Sequence, residues 1–370
     1  MKILISICFL FLPLFLNAQE VHQELQETVR AEVLEIMHEE ERDIIGTDTN
    51  ALVQKVRARI QEGVRKGDVT IFENDLIELN AGDSIYVNRL IGIDGTEYYA
   101  FKDVDRHFAL LSLFAFFACT LILFSGFHGF RALLSLFVSV VGIFLVLVPL
   151  LLHGYDPVFS SIAVAGVILA LVLFITHGFR AHTTIAFLGT FGAIVITGIV
   201  ALIWTHYAHF TGLSSDEAIY LNFSTKGALD FGGLLLGSII IGILGILDDV
   251  AITQASVVAE LKRANGLLRG RELYTRALRV GRDHIGSLVN TLALAYIGAS
   301  LPLILLLSAS GSDIILSLNQ ELVAVELVRI FVGSIGLILA VPLTTLIAVV
   351  WYERHAVTEV ESGCGHTHIH

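Results

Sequence analysis

The chain has 370 residues, 55% of them hydrophobic and only 16% charged. That balance is too apolar for an ordinary globular protein and points to membrane-spanning segments. The formal charge of −12 excludes the basic footprint of a nucleic-acid-binding protein, and three cysteines are too few for a disulfide framework.

Lys2 precedes an apolar run that ends at Leu16, followed by Asn17, Ala18 and Gln19. A basic start, a short apolar stretch and a small residue predict a signal peptide over residues 1–18. An uncleaved anchor is the alternative. Both readings put the next segment outside the cytoplasm.

Residues 19–106 read as an extracytoplasmic β-rich domain. Between Glu20 and Arg106 lie 20 acidic and 10 basic residues, so most of the net charge sits here. Val29, Ala31 and Val33 alternate with polar residues, as do Val56, Ala58 and Ile60. Period two argues for strands. Val69 with Ile71, Ile85 with Val87, and Tyr98 with Ala100 and Lys102 continue the pattern. Glycine-bounded turns at 63–67 and 80–83 separate them. Residues 20–43 also fit a helix face through Leu25, Val29, Val33 and Ile36. Five or six short strands suggest a small β-barrel-like domain.

The remainder reads as a mainly α-helical polytopic domain over 107–352. About seven transmembrane helices are expected, at 108–124, 132–152, 158–176, 184–207, 229–247, 287–307 and 327–351. A chain with such spans has the lipid bilayer as its first partner. With the N-terminal domain outside, the cytoplasmic connections and tail carry Arg131, Arg180, Lys262, Arg263, Arg269, Arg271, Arg276, Arg279, Arg282 and Arg354. The outer connections carry only Lys226. This is a strong positive-inside asymmetry, placing the C-terminus in the cytoplasm. The sequence HGFRA occurs twice, at 128–132 and 177–181. It is either a repeat of two-helix units or a shared loop signature at the membrane edge.

The fifth span carries Gly233, Gly237, Gly242 and Gly245, which let a neighbouring backbone approach closely. It runs into Asp248 and Asp249. Acids at the end of a membrane helix are either solvated or functional. Gln254 follows on the same stretch, and Arg282, Asp283, His284 and Asn290 begin the sixth span. Carboxylates facing Arg282 and His284 can form a polar network that binds a cation or relays protons. The plainer alternative is an ion pair closing two helix ends. The basic connection 249–286 carries apolar residues at helical spacing and suggests two amphipathic helices broken near Asn265 and Gly266. A solvated loop and a docking surface for a cytoplasmic protein are the alternatives.

Residues 242–256 (GILGILDDVAITQAS) and 280–302 (VGRDHIGSLVNTLALAYIGASLP) resemble the signature stretches of the YibE/F-like bacterial membrane proteins. The resemblance extends through the spans and, at Gly63, Gly67, Gly82 and Asp83, into the strand-rich segment. It implies a multi-pass protein of the bacterial inner membrane with an external domain. It brings no established activity and no catalytic residues.

The tail 353–370 ends with Cys364, His366, His368 and His370. A thiolate and three imidazoles suit zinc, against a plain tail with incidental histidines. No catalytic motif is visible. Asp248 and Asp249 are consecutive and so point about 100° apart on a helix, unlike a protease dyad. Two functions stand side by side. One is a transporter or channel for an ion or small solute. The other is a membrane scaffold or assembly factor that binds an unidentified protein through the external domain.

Overall fold

A computed structural model describes residues 26–43, 50–92, 96–309, 311 and 313–355. The expected signal peptide and the expected zinc ligands Cys364, His366, His368 and His370 lie outside these residues. The chain divides into two compact units, residues 1–119 and 120–370.

In the first unit, β1 (Gln26–Asp43), β2 (Asn50–Ile60), β3 (Val69–Asn74), β4 (Ser84–Ile91) and β5 (Glu97–Val104) form one antiparallel sheet. Its order is β3-β2-β1-β4-β5. The start that also fitted a helix is strand from Gln26 onward. The long β1 is the centre, because it pairs β2 on one side and β4 on the other. Ala31 stands opposite Ile60 and Ile85, and all three are buried. Val29, Val33, Val56, Ala58, Phe72, Leu79 and Val87 complete the core. Gln54 is buried among them. Its carboxamide donates to Leu79 O at 3.1 Å and accepts from Leu79 N at 2.8 Å, so no amide atom is stranded.

Three expectations for this sheet change. The edge strands β3 and β5 approach but do not pair, so the sheet is curled and open rather than a closed barrel. In β3 the core side is Thr70, Phe72 and Asn74, while Val69 and Ile71 are exposed. Pairing Phe72 with Val56 and Thr70 with Ala58 fixes that side. In β5 the bulge at Tyr86 and Val87 sets Phe101 beside Val87, so Tyr99 and Phe101 pack inward and Tyr98 faces out. Both strands carry large side chains on both faces, so alternation alone could not choose between them.

The helices are α1 (His107–Gly142), α2 (Val148–Leu152), α3 (Pro157–His177), α4 (Ala181–Tyr207), α5 (Asp216–Ser224), α6 (Phe231–Ala264), α7 (Gly270–Ala299), α8 (Leu301–Ala309), α9 (Ile314–Asn319) and α10 (Glu321–Arg354). A short π-helical turn, Ile143–Leu147, joins α1 to α2. Five segments are long and apolar enough to cross a membrane, and six if the bent pair α7–α8 counts as one. The expected seven are therefore drawn differently. Spans 108–124 and 132–152 fall in one run, His107–Leu152, of 46 residues. Straight, it would measure about 69 Å, more than twice a hydrocarbon core. It breaks at Gly126, whose φ of 55° and ψ of −133° are not helical. Beyond the break, a Cβ on Gly129 would lie 2.5 Å from the Leu121 carbonyl oxygen. Residues eight apart in a straight helix stand about 12 Å apart, so the chain turns sharply here. The expected span 287–307 lies in the pair Gly270–Ala299 and Leu301–Ala309, bent by 62°.

The core of this second unit is built by α4, α6 and α10, with α3 against α6 and α7 against α10. Ile185, Ile194, Ile243 and Leu247 are among its fully buried side chains.

Candidate polar site in the helix bundle

Helix α6 positions the site. It begins at Asp230, whose carboxylate accepts from Gly233 N at 3.0 Å, and runs 34 residues, about 51 Å, to Ala264. The expected span end at Leu247 is thus a mid-point. Nothing breaks the helix there: Val250, Ala251, Gln254, Ala255, Val258 and Ala259 keep the buried face at helical period. The first breaker is Asn265 with Gly266. The connection 249–286 consequently consists of the second half of α6 and the first half of α7, with five residues between the two helices.

Asp248 is half-buried and Asp249 is exposed, one residue apart on the helix. Asp249 N donates to Asp248 Oδ1 at 2.8 Å. Arg282, Asp283, His284 and Asn290 are all exposed on α7. Among the described residues no ion pair joins Asp248 or Asp249 to Arg282 or His284. Asp249 instead lies within electrostatic reach of the second HGFRA motif. His177 ends α3 and is half-buried, and electrostatic interactions couple it to His182, Asp249, His128 and Arg180. The histidines of the two motif copies, His128 and His177, thus lie within electrostatic reach of each other. The two copies are also tied by Ser135 and Thr176, whose hydroxyls lie 2.7 Å apart.

Gln254 lies just over one turn beyond Asp249 and is buried. Its Nε2 donates to Ala277 O at 3.0 Å and to Thr345 Oγ1 at 2.7 Å, linking α6, α7 and α10. A Cβ on Gly281 would meet Gln254 Oε1 at 2.7 Å, so this position in α7 has no room for a side chain. Of the expected packing glycines, Gly233 meets Pro157, Gly237 meets Ser161 and Gly242 meets the Tyr296 hydroxyl. Gly245 faces open space and contributes no close approach.

Residues 113–354 match the YibE/F-like protein family. The chain belongs to that family. No curated protein and no solved structure matches it. In this YibE/F-like protein the matched region covers the helices and leaves the sheet outside, so the resemblance does not reach the strand-rich segment.

Other polar groups of the YibE/F-like bundle escaped the sequence reading. Arg329 in α10 pairs with Glu326 at 2.7 Å and lies 5.8 Å over the Tyr296 ring. The signal was an acid and a base three residues apart in an apolar run, the spacing of helix neighbours. Thr183, Thr190, Thr197 and Thr205 all lie buried on α4. The first three stand seven residues apart, a drift of only about 20° per step, and Thr205 is eight beyond Thr197, so the four hydroxyls lie within about 80° of arc on one side of the helix. Their spacing was present in the sequence, but threonine in an apolar helix is unremarkable until its burial is known.

Proposed function

We propose that this YibE/F-like protein is a bacterial plasma-membrane transporter or channel for an ion or small solute. On this reading the curled sheet lies outside and the C-terminus in the cytoplasm. The observation that carries the reading is the threonine line on α4. From Thr183 to Thr205 it covers 22 residue steps, about 33 Å, close to the thickness of a hydrocarbon core. Thr190 Oγ1 donates to Leu247 O at 3.5 Å and Thr197 Oγ1 to Ala193 O at 2.7 Å, while the Thr183 and Thr205 hydroxyls are buried with no hydrogen-bond partner among the described residues. Buried hydroxyls are unfavourable unless hydrogen-bonded. Thr183, Thr190 and Thr197 are fully enclosed in this conformation, so on this reading the bundle opens along α4 to let a hydrated solute reach them. At the Thr183 end stand His182, His177 and Asp249, and Asp248 offers a half-buried carboxylate beside them.

The test is solute flux into proteoliposomes, with an ion panel compared against empty liposomes. Flux is expected for at least one solute. Asp248→Asn should abolish it with normal yield and melting temperature, whereas the exposed Asp249→Asn should lower it less. Absence of flux for the whole panel, with a protein retained stoichiometrically on purification, would establish the scaffold reading instead.

A further inference from the structure

The end of the bundle remote from Asp248 holds a cleft that meets the threonine line of the reading above only at its last member, Thr205. It is a pocket of about 480 Å³ between the N-termini of α3 and α6 and the C-terminal turn of α4. Asp156, Asp230, His206, His209 and Thr205 line it, and no lysine or arginine does. We infer that this cleft binds a hydrated divalent cation.

The carboxylates come first. Asp156 Oδ1 accepts from Phe159 N at 2.7 Å, and Asp230 Oδ1 accepts from Gly233 N at 3.0 Å. Each carboxylate therefore caps its helix with one oxygen. Among the described residues no ion pair neutralises either of them. The two helix starts are in contact, since a Cβ on Gly233 would lie 3.1 Å from Pro157 and against the Asp230 carboxylate. Two negative charges are thus held at one mouth, with acceptor imidazoles beside them.

The second observation is independent of the acids. Thr205 is 5% exposed, lines the same pocket, and its Oγ1 has no hydrogen-bond partner among the described residues. A buried hydroxyl left unpaired at a pocket wall is satisfied by a ligand or by a ligand's water.

Size and geometry select the kind of cation. At about 30 Å³ per water, the pocket has room for on the order of ten or more waters. Among the described residues no three His, Cys, Asp or Glu side chains converge as a chelating set. A dehydrated transition metal needs such a set. Mg²⁺ does not: it gives up water reluctantly and is held through one or two carboxylates with its waters in place.

The experiment is calorimetric titration of the purified full-length chain with Mg²⁺, and competition by hexaamminecobalt(III), an inert mimic of the hydrated ion. Equilibrium binding does not depend on whether the protein transports anything. The expected result is a single Mg²⁺ site that hexaamminecobalt(III) empties. Asp156→Asn and Asp230→Asn should each weaken it about 10-fold or more. Asparagine caps helices as well as aspartate, so melting temperatures should hold. If either variant fails to fold, the serine substitution, also a good cap, replaces it in the same test. Thr205→Val should weaken binding and Thr205→Ser should restore it. Equal Mg²⁺ affinity in wild type and both Asn variants overturns the site, as does the absence of any Mg²⁺ binding. A pocket that takes Zn²⁺ in an Asp156- and Asp230-dependent way, without competition from hexaamminecobalt(III), overturns the hydrated form.

Discussion

The carboxamide of Gln254 has two donor bonds, and both cross between helices. Removing it costs both bonds, although Thr345 Oγ1 still donates to Val341 O at 2.7 Å. Two lost buried hydrogen bonds at about 0.5–1.5 kcal/mol each come to about 1–3 kcal/mol. Gln254→Ala should therefore lower the unfolding free energy in detergent by about that much, read as a lower denaturation midpoint, and an unchanged midpoint would show that the carboxamide carries no stability. A second residue-scale prediction concerns Glu97 in the sheet. Hydrogen bonds from the guanidinium groups of Arg89, at 2.7 Å, and Arg65, at 3.0 Å, hold its carboxyl at about 2, below the ordinary 4.5. A carboxyl lowered in this way stabilises the fold fully above its ordinary value. That stabilisation is lost as pH falls through about 2. Hydrogen exchange of the full chain should show weaker protection of β4 and β5 in Glu97→Gln than in wild type near neutral pH. The two should converge in strong acid. A difference that grew toward low pH would reverse the sign of the argument.

Helices α4 and α10 approach through exchanged small residues. A Cβ on Gly336 would collide with the Thr197 side chain, and one on Gly189 with Thr344. Overpacking of this kind costs about 1–3 kcal/mol when the neighbour cannot move. Gly336→Ala should destabilise the bundle, and adding Thr197→Ala should recover most of the loss by making room. Additive losses in the double variant would show that the two positions do not touch. These contacts mark the limit of what the sequence discloses. The glycines of α6 are legible as packing because they recur in one apolar run, and three of the four do pack. Gly336 and Gly189 gain their meaning from threonines on another helix, more than a hundred residues away in the chain. The same holds for the polar site. Asp248 and Asp249 stand out as adjacent acids in an apolar stretch. Sequence alone points to Arg282 as their partner, because spans ending at Leu247 and beginning at Ser287 put both at one membrane face. Once α6 continues to Ala264, the acids sit at mid-helix, with Asp249 within electrostatic reach of His177 at the end of α3. The HGFRA echo was visible too, yet its link to the acids needs the bundle. In the sheet, core residues of β1, β2 and β4 follow from alternation. Those of β3 and β5 do not, because Val69, Ile71 and Tyr98 are as apolar as the residues that turn inward.

At the scale of the whole molecule, charge predicts an orientation that can be tested. Lys262, Arg263, Arg269, Arg271, Arg276, Arg279 and Arg282 all lie between the middle of α6 and the middle of α7. Arg269, Arg271, Arg276, Arg279 and Arg282 are exposed there. Translocating such a cluster across an apolar core is strongly disfavoured, so this end of the two helices is expected in the cytoplasm. The opposite end carries Asp156, Asp216, Glu217 and Asp230 around the starts of α3, α5 and α6, with Lys226 as the nearby base. If the cluster is inside, that acidic end is outside. A reporter active only in the cytoplasm should then work when fused after Arg271 and at the C-terminus, since Arg354 closes α10 on the same side. It should fail after Asp216 and after Asp83 in the sheet. The fusion at Asp83 is the most demanding, because it also tests the expected signal peptide. Activity there with activity after Arg271 would put both segments on one side and remove the leader from the reading. Activity there with silence after Arg271 would invert the entire molecule. The cation cleft at Asp156 and Asp230 would then open to the cytoplasm, and the direction of any transport would be reversed with it.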